Sequence, residues 1–279
     1  MTLEVNLTHV RDFFWSRRPS RRDSFDFGVL ANFVPDGDAY SGVCRAGAMT
    51  HDDQIQIIHF DSNLNLVETK PATKGEDPRS FTYKGNPYAL TWDPHSHHGV
   101  GVFAYKIINL KNGEVTRLNI ENFPTTPVST LGKNWIPVER DGVLYFVVTL
   151  EPELNILRCE LSTGNCVWET PYERIKESLD ITISRGGTSL IFQEEYGCFV
   201  GIGHRTYNCH HHAAYLYTLS KDFNNVYIGP DIETGREGVN DPVSIYEERN
   251  KLFCCIGHFP IQLGDTTEAL SALYEVKIT

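Results

Sequence analysis

No stretch of this sequence approaches the ~20 consecutive apolar residues that a membrane-spanning helix needs. Residues 1–25 carry no long apolar run of the secretory kind either. Positive charge is in short supply: 25 Lys and Arg stand against 36 Asp and Glu, for a net charge of −11 and a pI near 5.4. That balance argues against nucleic acid or an anionic membrane as partner, since both require a basic surface. The local exception, Arg17, Arg18, Arg21 and Arg22, reads as a solvated N-terminal arm. Cysteine is present without a framework. The seven residues, at 44, 159, 166, 198, 209, 254 and 255, are odd in number and contain no Cys-x-x-Cys. Cys198, Cys254 and Cys255 fall within apolar runs and read as small core residues. Together these features point to a reducing compartment and a cytoplasmic protein. Helical periodicity is scarce, and residues 171–179 form the one window that reads as a short helix. Low-complexity segments and linkers are absent.

What fills the chain is a repeat. Glu76-Asp77-Pro78-Arg79 precedes a strand, a turn at Lys84-Gly85-Asn86-Pro87 and a second strand. Lys133-Asn134-Trp135, Arg185-Gly186-Gly187-Thr188 and Asn240-Asp241-Pro242 each begin the same grammar, at steps of 57, 52 and 55 residues from Asp77 onward. A fainter copy begins at Leu30-Ala31-Asn32. Units of this length built from several short strands predict an all-β, five-bladed β-propeller of residues 28–279. Residues 1–27 read as a lead-in, with the alternation of Leu3 to Leu7 suited to closing the ring on the last blade.

In a propeller the residues that open the innermost strands meet at one mouth of the central channel. Asn32, Asp77, Asn134, Gly186 and Asp241 are expected there. A second ring, Arg45, Asp93, Glu151, His204 and His258, comes from the ends of the next strands. Any one of these residues can serve only a blade–blade hydrogen bond, but a mouth this rich in charge is costly to build without a use. The carboxylates suit acid–base chemistry. Arg45, Arg79, Lys133, Arg185 and His204 suit an anion such as phosphate. Gly186 and Gly187 would let backbone amides approach a ligand. Trp135 fits either stacking on a sugar or packing between blades. The histidine clusters, His95 to His98 and His210 to His212, have no zinc-ligand spacing and read as loop or substrate contacts, with no metal expected.

The three motifs Glu76-Asp77-Pro78-Arg79, Lys133-Asn134-Trp135 and Arg185-Gly186-Gly187-Thr188 resemble those of the five-bladed β-mannoside phosphorylases of glycoside hydrolase family 130 and the related β-1,2-mannosyltransferases. The resemblance implies inverting glycosyl transfer without a cofactor, with Asp77 as proton donor. Arg79, Lys133, Asn134 and Arg185 would hold a sugar phosphate or nucleotide sugar donor beside a glycan acceptor. Arg45, Glu76, Asp93, Trp135, Glu151, Gly186, Gly187, His204, Asp241 and His258 complete the expected substrate site. The alternatives are a glycoside hydrolase of a related propeller family and a non-catalytic glycan-binding propeller. The related arabinanases and xylosidases place an aspartate at the start of blade one, where this chain has Asn32 or, further on, Asp36 or Asp38.

Overall fold

The structure, a computed structural model, describes residues 3–18, 28–46, 53–93, 104–121, 134–151, 153–170, 183–208, 211–263 and 266–279. It is an all-β, five-bladed propeller. The N-terminal strand is β1 (Val5–Arg18). Blade I holds β2 (Gly28–Asp36), β3 (Ala39–Ala46), β4 (Gln54–Phe60) and β5 (Leu66–Lys74). Blade II holds β6 (Glu76–Tyr83), β7 (Asn86–Asp93), β8 (Ala104–Asn109) and β9 (Val115–Arg117). A short β10 (Asn119–Ile120) then crosses to the outer edge of blade III, formed by β11 (Ile136–Arg140), β12 (Val143–Thr149), β13 (Asn155–Glu160) and β14 (Asn165–Trp168). Blade IV holds β15 (Ile183–Arg185), β16 (Ile191–Gln193), β17 (Cys198–Asn208), β18 (His211–Ser220) and β19 (Val226–Ile232). Blade V is β20 (Val239–Glu248), β21 (Lys251–Leu263) and β22 (Thr266–Ile278), with β1 as its outer strand.

Strand order within each blade follows from its turns. The turns Lys84-Gly85, Asp141-Gly142 and Arg249-Asn250 have both central residues at positive φ. That backbone matches the right-handed twist of the strands it joins. Apolar positions then alternate onto the two faces of each blade and pack against the neighbouring blades. Every seam has its own buried cluster: Phe33, Phe60 and Tyr246 between I and V, Ile55, Ile57 and Ile108 between I and II, Phe81, Trp135 and Phe146 between II and III, Tyr145, Val147 and Tyr217 between III and IV, Val200, Leu216 and Ile256 between IV and V. Five seams make a closed ring with no seam left open.

Several expectations shift in the structure. The strand expected over 115–120 divides at Leu118, whose amide still bonds Tyr105 in blade II while that of Asn119 bonds Gly164 in blade III. Blade IV's inner strand is broken into β15 and β16 at the paired glycines. Ring closure engages far more than Leu3 to Leu7, because β1 follows β22 from Val5 to Arg18. Cysteine does form a pair: Cys159 and Cys166 face each other across the β13–β14 hairpin and are disulfide-bonded. A separation of seven residues across one turn carries no framework pattern that sequence reveals. Cys44, Cys198, Cys254 and Cys255 are free thiols. Residues 94–103, 122–133 and 171–182 lie outside the described residues. Three sequence-stated features are among them: the window expected to be helical, Lys133 and the His95 to His98 cluster.

Candidate functional site

The funnel mouth begins with backbone geometry. Leu30, Asp77 and Asn134 adopt positive φ (57°, 47° and 70°), a conformation L-residues take at a cost. In blades I and II a bulge sits at this point, between Val29/Asn32 and Glu76/Arg79 in the respective registers. The equivalent of Asp77 in blade I is therefore Leu30, two residues before the expected Asn32. Asn32 matches Arg79 instead. It is fully buried and stitches blade I to blade II, its carboxamide donating to the carbonyls of Leu30 and Pro78 (2.7 and 3.0 Å) and accepting from the Ser80 amide (2.7 Å). Asp36 and Asp38 lie at the other end of β2, at its turn to β3, so blade I brings no carboxylate to the opener position.

The first charged group of the mouth is built around Arg45 at the end of β3. Its guanidinium donates to Asp53 (2.6 Å) and Asp77 (3.1 Å) and lies 3.5 Å from Glu76. Burial alone would lower the Arg45 pKa, but Asp77, Asp53 and Glu76 outweigh it and raise the value. One guanidinium is thus shared among three carboxylates. Asp93 is similarly held by Lys106 at 2.9 Å.

The second group crosses the axis. Arg79 is 3% exposed. From blade II it donates to the Gly187 carbonyl of blade IV (2.9 Å), the Pro242 carbonyl of blade V (2.6 Å) and the Asn134 carboxamide of blade III. Burial lowers its pKa, against the opposing fields of Asp241 and Asp77. Arg79 is thus a knot between blades and not a free anion ligand, which corrects the sequence expectation. Asn134 is spent on the same knot.

The third group joins blades IV and V. Asp241 bonds His212 Nδ1 at 2.7 Å and lies 3.7 Å from His204 Nδ1. Burial pushes its carboxyl up, but His204, His212 and Arg79 bring it down to about 2. Burial, reinforced by Arg79, His212 and Arg185 and opposed by Asp241, lowers His204 to about 3, so its ring is neutral at pH 7.

Other expected site residues are part of the packing. Trp135 is wholly buried and stacks on Tyr105 at 3.6 Å, so it belongs to the seam between blades II and III and not to a sugar platform. A Cβ on Gly186 would lie 2.1 Å from the Asn134 carbonyl oxygen, and one on Gly187 2.1 Å from that of Ile202. These glycines allow backbones to touch and leave no room for a ligand beside them. His258 is 1% exposed and bonds Asn240 (2.8 Å) and Tyr274 (3.0 Å). Glu151, just past β12, is exposed and close enough to blade IV to act on Tyr215. Arg185 is half-buried. Sequence reading missed Asp53 and His212 as mouth residues. Asp53 opens no strand motif, and His212, read as a loop or substrate contact, lies in β18.

No family model matches the chain, and no curated protein matches its sequence. Solved structures do match the fold. The catalytic domain of a Coprinopsis cinerea GH62 α-L-arabinofuranosidase is 10% identical over 94% of this chain and 97% of its own, with a TM-score of 0.56. An α-L-arabinofuranosidase from Lactobacillus brevis is 11% identical over 87% and 89%, with a TM-score of 0.55. A GH43 protein from Bacillus licheniformis is 14% identical over 92% of this chain and 54% of its own, with a TM-score of 0.56. At these identities the likeness is one of fold, the five-bladed β-propeller. None of the three is named as a mannoside phosphorylase.

Proposed function

We propose that the protein is a carbohydrate-active enzyme that hydrolyses glycosidic bonds, with Asp77 and Glu151 as its carboxyl pair. The observation that carries this reading is how the mouth's charges are committed. Two of the arginines expected to serve an anion, Arg45 and Arg79, are held by three carboxylates and by three protein oxygens respectively. With those two committed, the carboxylates of Asp77 and Glu151 are the groups assigned to chemistry, beside the half-buried Arg185. The names of the fold's glycosidase neighbours support the same choice.

Each carboxyl has a role that follows from its surroundings. Arg45 at 3.1 Å stabilises negative charge on Asp77. An ionised Asp77 serves as base toward water, or as stabiliser of an oxocarbenium-like transition state. The proton donor seen in the family resemblance is then a different group. Glu151 has no ion pair among the described residues and stands in solvent at the same end of the blades. It is assigned the protonation of the leaving oxygen. The substrate is a neutral glycan, and no sugar phosphate is required.

The test is release of reducing sugar from a panel of arabino-, xylo-, galacto- and manno-oligosaccharides and their aryl glycosides, with and without phosphate. Asp77→Asn is expected to cut turnover ~10³-fold on every substrate. Glu151→Gln is expected to cut it as deeply on natural leaving groups but far less on activated aryl ones. Turnover that requires phosphate would restore the phosphorylase reading. Glycan binding without turnover would leave a binding propeller.

A further inference from the structure

We propose that His204, His212 and Asp241 form a binding site for one divalent transition cation of the zinc type, with an open coordination position at the funnel mouth. The proposal stands on the geometry of these three side chains and is independent of the hydrolase reading.

One donor atom from each residue lies within 4.8 Å of the others. Three adjacent strands fix them. In the β17–β18 register, His204 sits opposite Ala214 and Thr206 opposite His212. A bridge from His212 to Val239 then sets β20, with Asp241 two residues on, beside β18. The two imidazole rings lie nearly parallel, 5.0 Å apart with 16° between their planes. Both present Nδ1 toward the same Asp241 oxygen.

The decisive detail is His204 Nδ1. It is buried, has no hydrogen-bond partner among the described residues and points at a carboxylate too distant to bond. A buried ring nitrogen without a partner is unfavourable. A cation between the three groups would satisfy it. Two imidazoles and one carboxylate suit a borderline ion, since calcium and magnesium prefer all-oxygen ligands. Three protein ligands leave a fourth position free, and His212, the least buried of the three, puts that position on the open side. On binding, the proton shared by His212 Nδ1 and Asp241 moves to Nε2 of that ring, so no net proton need leave. Arg79 and Arg185 both act electrostatically on His204 and oppose a second positive charge, which makes the expected affinity modest.

The experiment uses the full chain, stripped with a chelator and titrated with Zn²⁺ by calorimetry and with Co²⁺ by visible absorption. One ion per chain is expected, with a Co²⁺ band of low-coordinate nitrogen–oxygen type. Asp241→Asn and His212→Ala are each expected to weaken binding at least ~10-fold. Asp241→Asn is nearly isosteric, and its melting temperature reports whether the fold is kept. Replacing His95, His97 and His98 together by Ala should leave binding unchanged, which separates this site from the other histidine-rich stretch of the sequence. Binding that survives both ligand substitutions, no binding at all, or binding of Ca²⁺ in place of Zn²⁺ would overturn the proposal.

Discussion

Arg79 occupies the position of greatest structural leverage. A guanidinium with three protein acceptors from three other blades, removed from water, is costly to disrupt because its partners are left unpaired. Arg79→Ala is expected to lower stability by about 3–5 kcal/mol in chemical denaturation. Arg79→Lys should recover little of it, since an ammonium cannot reproduce the planar fork. His258 gives a prediction in pH. Burial, with help from Arg236, lowers its pKa from 6.5 to about 3 in the folded protein. The unfolded chain therefore binds this proton more readily. The stability tied to neutral His258 is complete above about pH 6.5 and is lost as pH falls toward 3, by up to about 1.4 kcal/mol per unit. His258→Asn should flatten the melting-temperature profile between pH 6 and 4. A slope unchanged by that substitution would assign acid lability to other groups. At this scale the sequence was half legible. It anticipated that Arg45 would meet Asp77 and His204 would meet Asp241, because strand ends in a propeller meet whatever their sequence distance. It did not show that Arg79 and Trp135 are buried, because a bulge between Glu76 and Arg79 turns the arginine toward the axis, and no residue pattern announces a bulge.

Blade III tests what a single element contributes. The disulfide between Cys159 and Cys166 closes a loop of seven residues at the outer hairpin, and both sulfurs lie in the apolar cluster with Trp135 and Phe146. Cross-linking so short a loop removes about 2 kcal/mol of unfolded-chain freedom. Reduction, or the double substitution Cys159→Ala and Cys166→Ala, should lower the denaturant midpoint by that order without altering the fold by circular dichroism. The blades themselves were legible because turns such as Lys84-Gly85 and Asp141-Gly142 announce themselves through residues that tolerate positive φ. Blade I's opener was read two residues late. Leu30 at positive φ breaks the usual preference for Gly, Asn or Asp at such a site, and Asn32 looked the better match.

For the molecule as a whole, closure depends on β1. It pairs with β22 over 12 aligned residue pairs and covers what would otherwise be a long bare sheet edge. Removing residues 1–18 should lower the melting temperature by about 10 °C and promote association through the exposed edge. A truncated chain that stays monomeric and melts like the parent would show that the seams alone hold the ring. The number of blades was legible from a step of 52 to 57 residues between openers. The partner of the first strand was only hinted at, since alternation from Leu3 to Leu7 says nothing of the further pairing to Arg18.

The knot that Arg79 ties between blades II, III, IV and V has one more consequence. One side chain joins four blades across the axis, and on the hydrolase reading proposed above it would make the mouth a dead end. A glycan polymer would then not be threaded through the molecule. It can only dip an end into the opening or lie across the rim. Whatever is released must back out through the doorway that the next molecule needs, and the two compete for it. If the protein hydrolyses glycans as proposed, turnover would then slow as product accumulates, in the manner of a competitive inhibitor.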